Sequence, residues 1–307
     1  MSTSSLVAAV DIGGTKIAAA LVDEAGVIRD RVQVSTPSGA SAILCVIAEL
    51  VDGLRAHAAP LALGVGAPGV IDSSAGEVRS ATEIVPGWAG TPIRAELAGR
   101  LGLPVAVVND VRAAALGAVR DPALRDCPDV LHVSVGTGVG GALIRNGRLV
   151  AGPHGSAGEI AHLLVPQRGA LACGCGRDDH LEAVAAGPAI AAFHSRATGS
   201  AALPLTEVAA RMRAGDEDAG VAIRSAGRTL GRALAGLVAA VDVDAVTLGG
   251  GVVHGIPEFA VTVGEAYRAE ALPPLRSVPV LVSQAGPDAP LLGAAQLART
   301  LVPEAAS

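Results

Sequence analysis

Aromatic residues are almost missing from this chain: one Trp, one Tyr and two Phe among 307 residues. A core without rings must be packed from Ala, Val, Leu and Ile, and a ligand site without rings must hold its ligand mainly through hydrogen bonds. Cysteine is scarce too. Four residues cannot staple a chain of this length, which excludes a disulfide scaffold. Cys45 and Cys127 stand alone and read as buried thiols, whereas Cys173 and Cys175 share a polar, Gly-rich loop. Basic residues are outnumbered, with 23 Lys and Arg against 29 Asp and Glu. The net charge of −6 and the absence of a basic stripe exclude nucleic acid as a partner. Long apolar runs are lacking as well. Ala233–Val241 is stopped by Asp242 and Asp244 well short of the roughly 20 residues that span a bilayer. The N-terminus offers only Leu6–Val10 before Asp11, too little for a signal peptide. The expectation is a cytoplasmic protein with no membrane partner.

What is present is a repeated grammar. Leu6–Ile12 is an apolar run that stops at Gly13-Gly14, resumes as Ile17–Val22 and turns at Asp23–Gly26 into Val27–Val34, which reads as a three-strand meander. The pattern returns near the middle. Val130–Val135 leads into Gly136–Gly141, then Ala142–Arg145, an Asn146-Gly147 hairpin turn and Arg148–Val150. Two copies half a chain apart point to a duplicated architecture with equivalent turns. Helices are expected over 40–57, 112–119, 183–198 and 217–241, with strands at 61–66, 105–108 and 245–248. Alternation of this kind belongs to the α/β class.

Two groups of residues carry chemistry. Asp11-Ile12-Gly13-Gly14-Thr15-Lys16 ends an apolar strand in a turn whose bare N–H groups could approach phosphate oxygens. Asp11 could orient a hydrated Mg²⁺, which prefers oxygen ligands and retained waters. An ordinary tight hairpin explains the same residues, but the second turn, Gly136-Thr137-Gly138, repeats the device. Asn109-Asp110 closes the strand Val105–Val108 and opens a helix, a place suited both to an N-cap and to a carboxylate kept ionised to accept a proton. Glu159, His162 and Glu182, read from the residues alone, are surface or capping groups.

Taken in order, Asp11–Lys16, Gly64–Gly69, Asn109-Asp110 with its Ala-rich helix, Gly136–Gly141, Gly158–His162, Cys173–Gly176 and Gly249-Gly250-Gly251 resemble the ROK family of sugar kinases and related repressors. The resemblance implies a two-lobed α/β fold of the actin and hexokinase-like ATPase kind, with duplicated ribonuclease H-like lobes and a cleft between them. The lobes are expected at residues 1–118, with a C-terminal helix of about 289–307 packing back, and at 119–288, carrying a zinc-type loop over 162–182. It implies ATP held by Gly13, Gly14, Thr15 and Lys16 and by Gly136, Thr137 and Gly138, with Mg²⁺ near Asp11 and the adenosine backed by Gly249, Gly250 and Gly251. Asp110 falls on the family's catalytic base, and Gly69, Thr82, Asn109, Glu159, His162 and Glu182 are the expected sugar contacts.

The family's structural zinc site is one His and three Cys; here His162, Cys173 and Cys175 are joined by His180, a Cys2His2 set still competent for Zn²⁺. Other departures are Arg112 where many relatives have Asn, Ala161 for Gly, and no Asn before Trp88. The activity implied is phosphorylation of a hexose or aminohexose hydroxyl, the 6-OH, with glucose first and N-acetylmannosamine close behind. The sugar-sensing repressors of the family carry a DNA-binding region ahead of the first turn, for which a turn starting at Asp11 leaves no room. Family members are commonly homodimers or homotetramers.

Overall fold

The first strand, Val7–Ile12 (β1), is buried on both faces, which is why it reads as an unbroken apolar run rather than as an alternation. The structure, a computed structural model, describes residues 5–56, 58–81 and 85–303. Thr82 and Glu83 lie outside the described residues. β1 pairs antiparallel with Lys16–Val22 (β2), which pairs with Ile28–Ser35 (β3). β3 is an edge strand whose outward Arg29, Asp30, Arg31 and Gln33 discourage pairing with another chain. Helix α1 (Ala40–Arg55) then leads to β4 (Leu63–Ala67), parallel to β1. A small hairpin of β5 (Val70–Asp72) and β6 (Glu77–Ser80), helix α2 (Ile93–Leu101), β7 (Val105–Asn109) and α3 (Asp110–Ala118) follow. The sheet order is β3-β2-β1-β4-β7.

Two apolar layers cover that sheet. On one face Ala8, Val10, Ile12, Leu63 and Val65 pack with Ile43, Ile47 and Val51 of α1 and Ile93 and Leu97 of α2. On the other, Val7, Ala9, Ala20 and Val22 meet Leu291, Ala294, Ala295 and Ala298 of the C-terminal helix Ala289–Arg299. This second layer is thin because its residues are small. A Cβ at Gly64 would overlap the Ala294 carbonyl, and one at Gly293 would overlap the Ala113 carbonyl, so the helix rests on the backbone of its neighbours.

The second sheet repeats the first. Val130–Val135 (β8), Val139–Arg145 (β9) and Arg148–Leu149 (β10) are antiparallel neighbours, and Ala245–Gly249 (β11) and Val280–Val282 (β12) add in parallel, giving β10-β9-β8-β11-β12. The helices are α4 (Leu181–Ala185), α5 (Gly187–Thr198), α6 (Leu205–Arg213), α7 (Glu217–Val241), α8 (Gly251–Gly255) and α9 (Pro257–Glu270). α7 is capped by Asp216, whose side chain accepts from Ala219 N, and ends where Asp242 turns left-handed at φ 50. The helix expected over 183–198 is two helices, because Ala186 is extended (ψ 150) and Gly187-Pro188 restarts the spiral. The turn expected over 136–141 is shorter, since Gly140 and Gly141 pair within β9.

The chain divides into two compact units, residues 1–120 with 151–156 and 288–307, and residues 121–150 with 157–287. Among the described residues no helix is long and apolar enough to cross a membrane. Cys45 and Cys127 are half-buried rather than enclosed: Cys45 lies at the α1 surface beside Arg100, and burial still pushes the Cys127 thiol up.

Candidate active site

In the first unit the turn Gly13–Thr15 joins β1 to β2. Gly13 N donates to Lys16 O at 2.9 Å, and Thr36 locks the turn from β3's end through Oγ1 to Gly13 O at 2.7 Å. Its tip, Gly14 to Lys16, is exposed. Asp11, two residues before it, is shielded enough that burial, reinforced by the negative charge of Asp110, lifts its carboxyl to about 7 against the pull of Arg31. The two acids converge on β4, where a Cβ at Gly66 would stand 3.7 Å from Asp11 Oδ1 and 3.5 Å from the Asp110 Cα.

Asp110 is the first residue of α3. Asn109 caps that helix by accepting from Arg112 N at 3.2 Å and donates from Nδ2 to Gly69 O at 3.0 Å. Asp110 Oδ1 also accepts from Val111 N at 2.9 Å, so both residues of the pair bond backbone N–H groups of the first turn. Gly69 needs to be glycine: its φ is 96, and a Cβ would stand 2.6 Å from Ser80 O. Trp88 Nε1 fastens the same loop by donating to Pro68 O at 2.9 Å. The Arg112 guanidinium is buried and donates to Gly155 O at 2.5 Å, which holds the 151–156 segment on this unit.

In the second unit Gly136–Thr137–Gly138 occupies between β8 and β9 the place that Gly13–Thr15 occupies between β1 and β2. Gly136 N donates to Gly138 O, and the first residue of α5, Gly187, donates to Gly136 O at 2.8 Å. Gly249 closes β11 against the buried His132 ring, whose Nδ1 lies 2.9 Å from Thr247 Oγ1 and which burial pushes down to about 4. Gly250 has φ 90 and would strike the Val135 carbonyl if it bore a Cβ, and Gly251 opens α8.

Glu159 precedes the short turn Ile160–His162. His162, Cys173, Cys175 and His180 come together with their ligand atoms all within 4.8 Å. The Nδ1 atoms of His162 and His180 are 3.2 Å apart, the two sulfurs 3.6 Å, Cys173 Sγ and His162 Nδ1 3.7 Å, and Cys175 Sγ and His180 Nδ1 3.2 Å. Cys173 is buried, which pushes its thiol up to about 12. Two residues beyond His180, Glu182 accepts from Val139 N on Oε2 and from Gly174 N on Oε1, each at 3.1 Å.

The ROK family profile matches residues 7–301. The chain belongs to that family. It is 36% identical over 300 residues to the N-acetylmannosamine kinase of Escherichia coli, covering 95% of this chain and 97% of that protein. Among solved structures, the ROK hexokinase from Thermus thermophilus superposes with a TM-score of 0.84 at 36% identity, covering 96% of this chain and 98% of that one. A ROK family glucokinase from Streptomyces griseus, solved in complex with glucose and AMPPNP, gives 0.85 at 33% identity, covering 96% and 100%. The two-lobed hexokinase-like fold follows from these likenesses and from the paired sheets.

Of the expected residues, Asp11, Gly69, Asn109 and Asp110 gather at the ends of β1, β4 and β7, and His162, Cys173, Cys175 and His180 form one cluster. Reasoning from the sequence missed the anchoring of Gly155 by Arg112 and the double bond made by Glu182 to backbone N–H groups. The first depends on a partner 43 residues away and the second on partners 43 and 8 residues away, and no local pattern marks either.

Proposed function

We propose that this ROK family sugar kinase transfers the γ-phosphoryl group of ATP to a hydroxyl of a hexose or aminohexose, with Asp110 as the general base. The observation that carries the reading is the pairing at the first helical turn of α3, where Asn109 takes the capping role and leaves Asp110 beside Asp11 at the strand ends. Asp110 would accept the proton of the attacking hydroxyl, and the N-terminal dipole of α3 favours its ionised form until then. Asn109, fixed to Gly69 O, would orient the sugar, and Glu159 and His162 are further candidates for ring hydroxyls. The tips of the turns that follow Gly13 and Gly136 would offer backbone N–H groups to phosphate oxygens, and bound Mg²⁺ would supply charge neutralisation in the neighbourhood of Asp11. A coupled ADP-release assay across glucose, mannose, N-acetylglucosamine and N-acetylmannosamine tests the class and selects its member. No turnover with any sugar would overturn it. The likenesses to a glucokinase and to an N-acetylmannosamine kinase support both branches.

The cluster of two His and two Cys suits structural zinc. Tetrahedral coordination with Zn–S of about 2.3 Å and Zn–N of about 2.05 Å sets ligand separations of about 3.8 Å for S···S, 3.6 Å for S···N and 3.3 Å for N···N. Four of the six separations, 3.6, 3.7, 3.2 and 3.2 Å, lie within about 0.4 Å of those edges, and all six are within 4.8 Å, so a small adjustment of the loop would complete the tetrahedron. Both imidazoles would ligate through Nδ1, leaving His162 Nε2 to face substrate.

A further inference from the structure

Glu182 was expected at the sugar, yet its carboxylate already holds two backbone groups of different function. Oε2 takes the N–H of Val139, the residue that follows the turn Gly136–Gly138, and Oε1 takes the N–H of Gly174, which lies between the two clustered cysteines. The fit is tight. A Cβ at Gly138 would stand 2.7 Å from Glu182 Oε2, so the glycine at that position makes room for this carboxylate. Glu182 itself is fixed from behind: it sits in the first turn of α4, whose cap residue is His180, a member of the cluster, and Leu181 N donates to Leu163 O.

We propose that Glu182 is a positioning residue that braces the second glycine turn against the cysteine loop, so that the backbone N–H groups at its tip, those of Thr137 and Gly138, are preorganised for a nucleotide phosphate before any sugar arrives. The assignment of phosphate to that turn rests on the kinase reading above; the brace itself does not. A carboxylate accepting two N–H groups makes charge-assisted bonds, stronger than neutral ones. A preset loop spares the nucleotide the cost of ordering it. An amide in place of the carboxylate keeps the shape but turns an N–H₂ donor toward one of the two N–H groups, so one bond becomes a repulsion and the other loses its charge.

The decisive variant is Glu182→Gln, with Glu182→Ala beside it. The Mg²⁺ complex of AMPPNP is titrated calorimetrically into the protein with no sugar present, and amide exchange is followed at Val139 and Gly174. The brace predicts that AMPPNP affinity falls about tenfold in both variants while exchange at both amides accelerates. A residue that only contacts sugar would leave sugar-free AMPPNP binding within about twofold and both exchange rates unchanged, which overturns the proposal. If the unsubstituted protein binds no AMPPNP, the nucleotide reading fails instead, and the exchange rates still decide the brace: faster exchange at both amides supports it, and equal exchange overturns it.

Discussion

A carboxyl group that ionises only near neutrality is an unfavourable thing to leave at the end of a buried strand, and Asp11 is such a group. Its native form keeps a proton up to about pH 7, whereas the unfolded chain releases it near 3.8, so the folded state loses stability as pH rises through that window and carries the full penalty above it. Asp11→Asn is therefore expected to raise stability at pH 8 by roughly 1–3 kcal/mol and to change it little below pH 4, while activity is lost. Urea unfolding at the two pH values measures this. Asp110→Asn should behave differently: kcat falls about a thousandfold with AMPPNP affinity retained, because the base is removed but the phosphate turns are not. Near-normal turnover of the folded variant would remove Asp110 from the mechanism. The place of Asp110 was legible because a strand end and a helix start are both local patterns, while its reading as a base came from the family resemblance. Arg112 and Glu182 were legible only as residue types, since what each holds is a carbonyl or an N–H far along the chain.

At the scale of elements, β1, β8 and α7 stood out because each has a strong and uninterrupted pattern. The break at Ala186 did not, because an Ala-rich face leaves little periodicity to interrupt. The C-terminal helix shows what those small residues achieve. It lies on α3 and β4 at backbone distance through Gly64, Gly117 and Gly293. Gly293→Ala, which an exposed helix would welcome, is expected here to cost about 1–3 kcal/mol by overpacking against the Ala113 carbonyl, read as a lower urea midpoint. The loop between His162 and His180 makes a separate prediction. Protein purified without chelator should contain about one zinc per chain by elemental analysis, and Cys173→Ser should release it. Fully active protein with far less metal would show that the four side chains cluster without a metal role.

At the scale of the whole molecule, the two sheets share one strand order and one set of directions, and the turn at Gly13–Thr15 has its counterpart at Gly136–Thr137–Gly138. That repetition was visible in the sequence as two copies of the same strand and turn grammar. The assignment of residues 151–156 to the first unit was not, because no local pattern marks the six residues that Arg112 helps to hold. The rarity of rings now has a practical consequence. The lone Trp, Trp88, is buried in the first unit and the lone Tyr, Tyr267, is buried in the second. Indole-selective fluorescence thus watches one unit alone, while circular dichroism watches both. The indole N–H is tied to Pro68 O, one residue before the Gly69 carbonyl that holds the Asn109 amide. A sugar that engages Asn109 should shift the emission of Trp88, giving this chain a built-in optical gauge of substrate occupancy without a label.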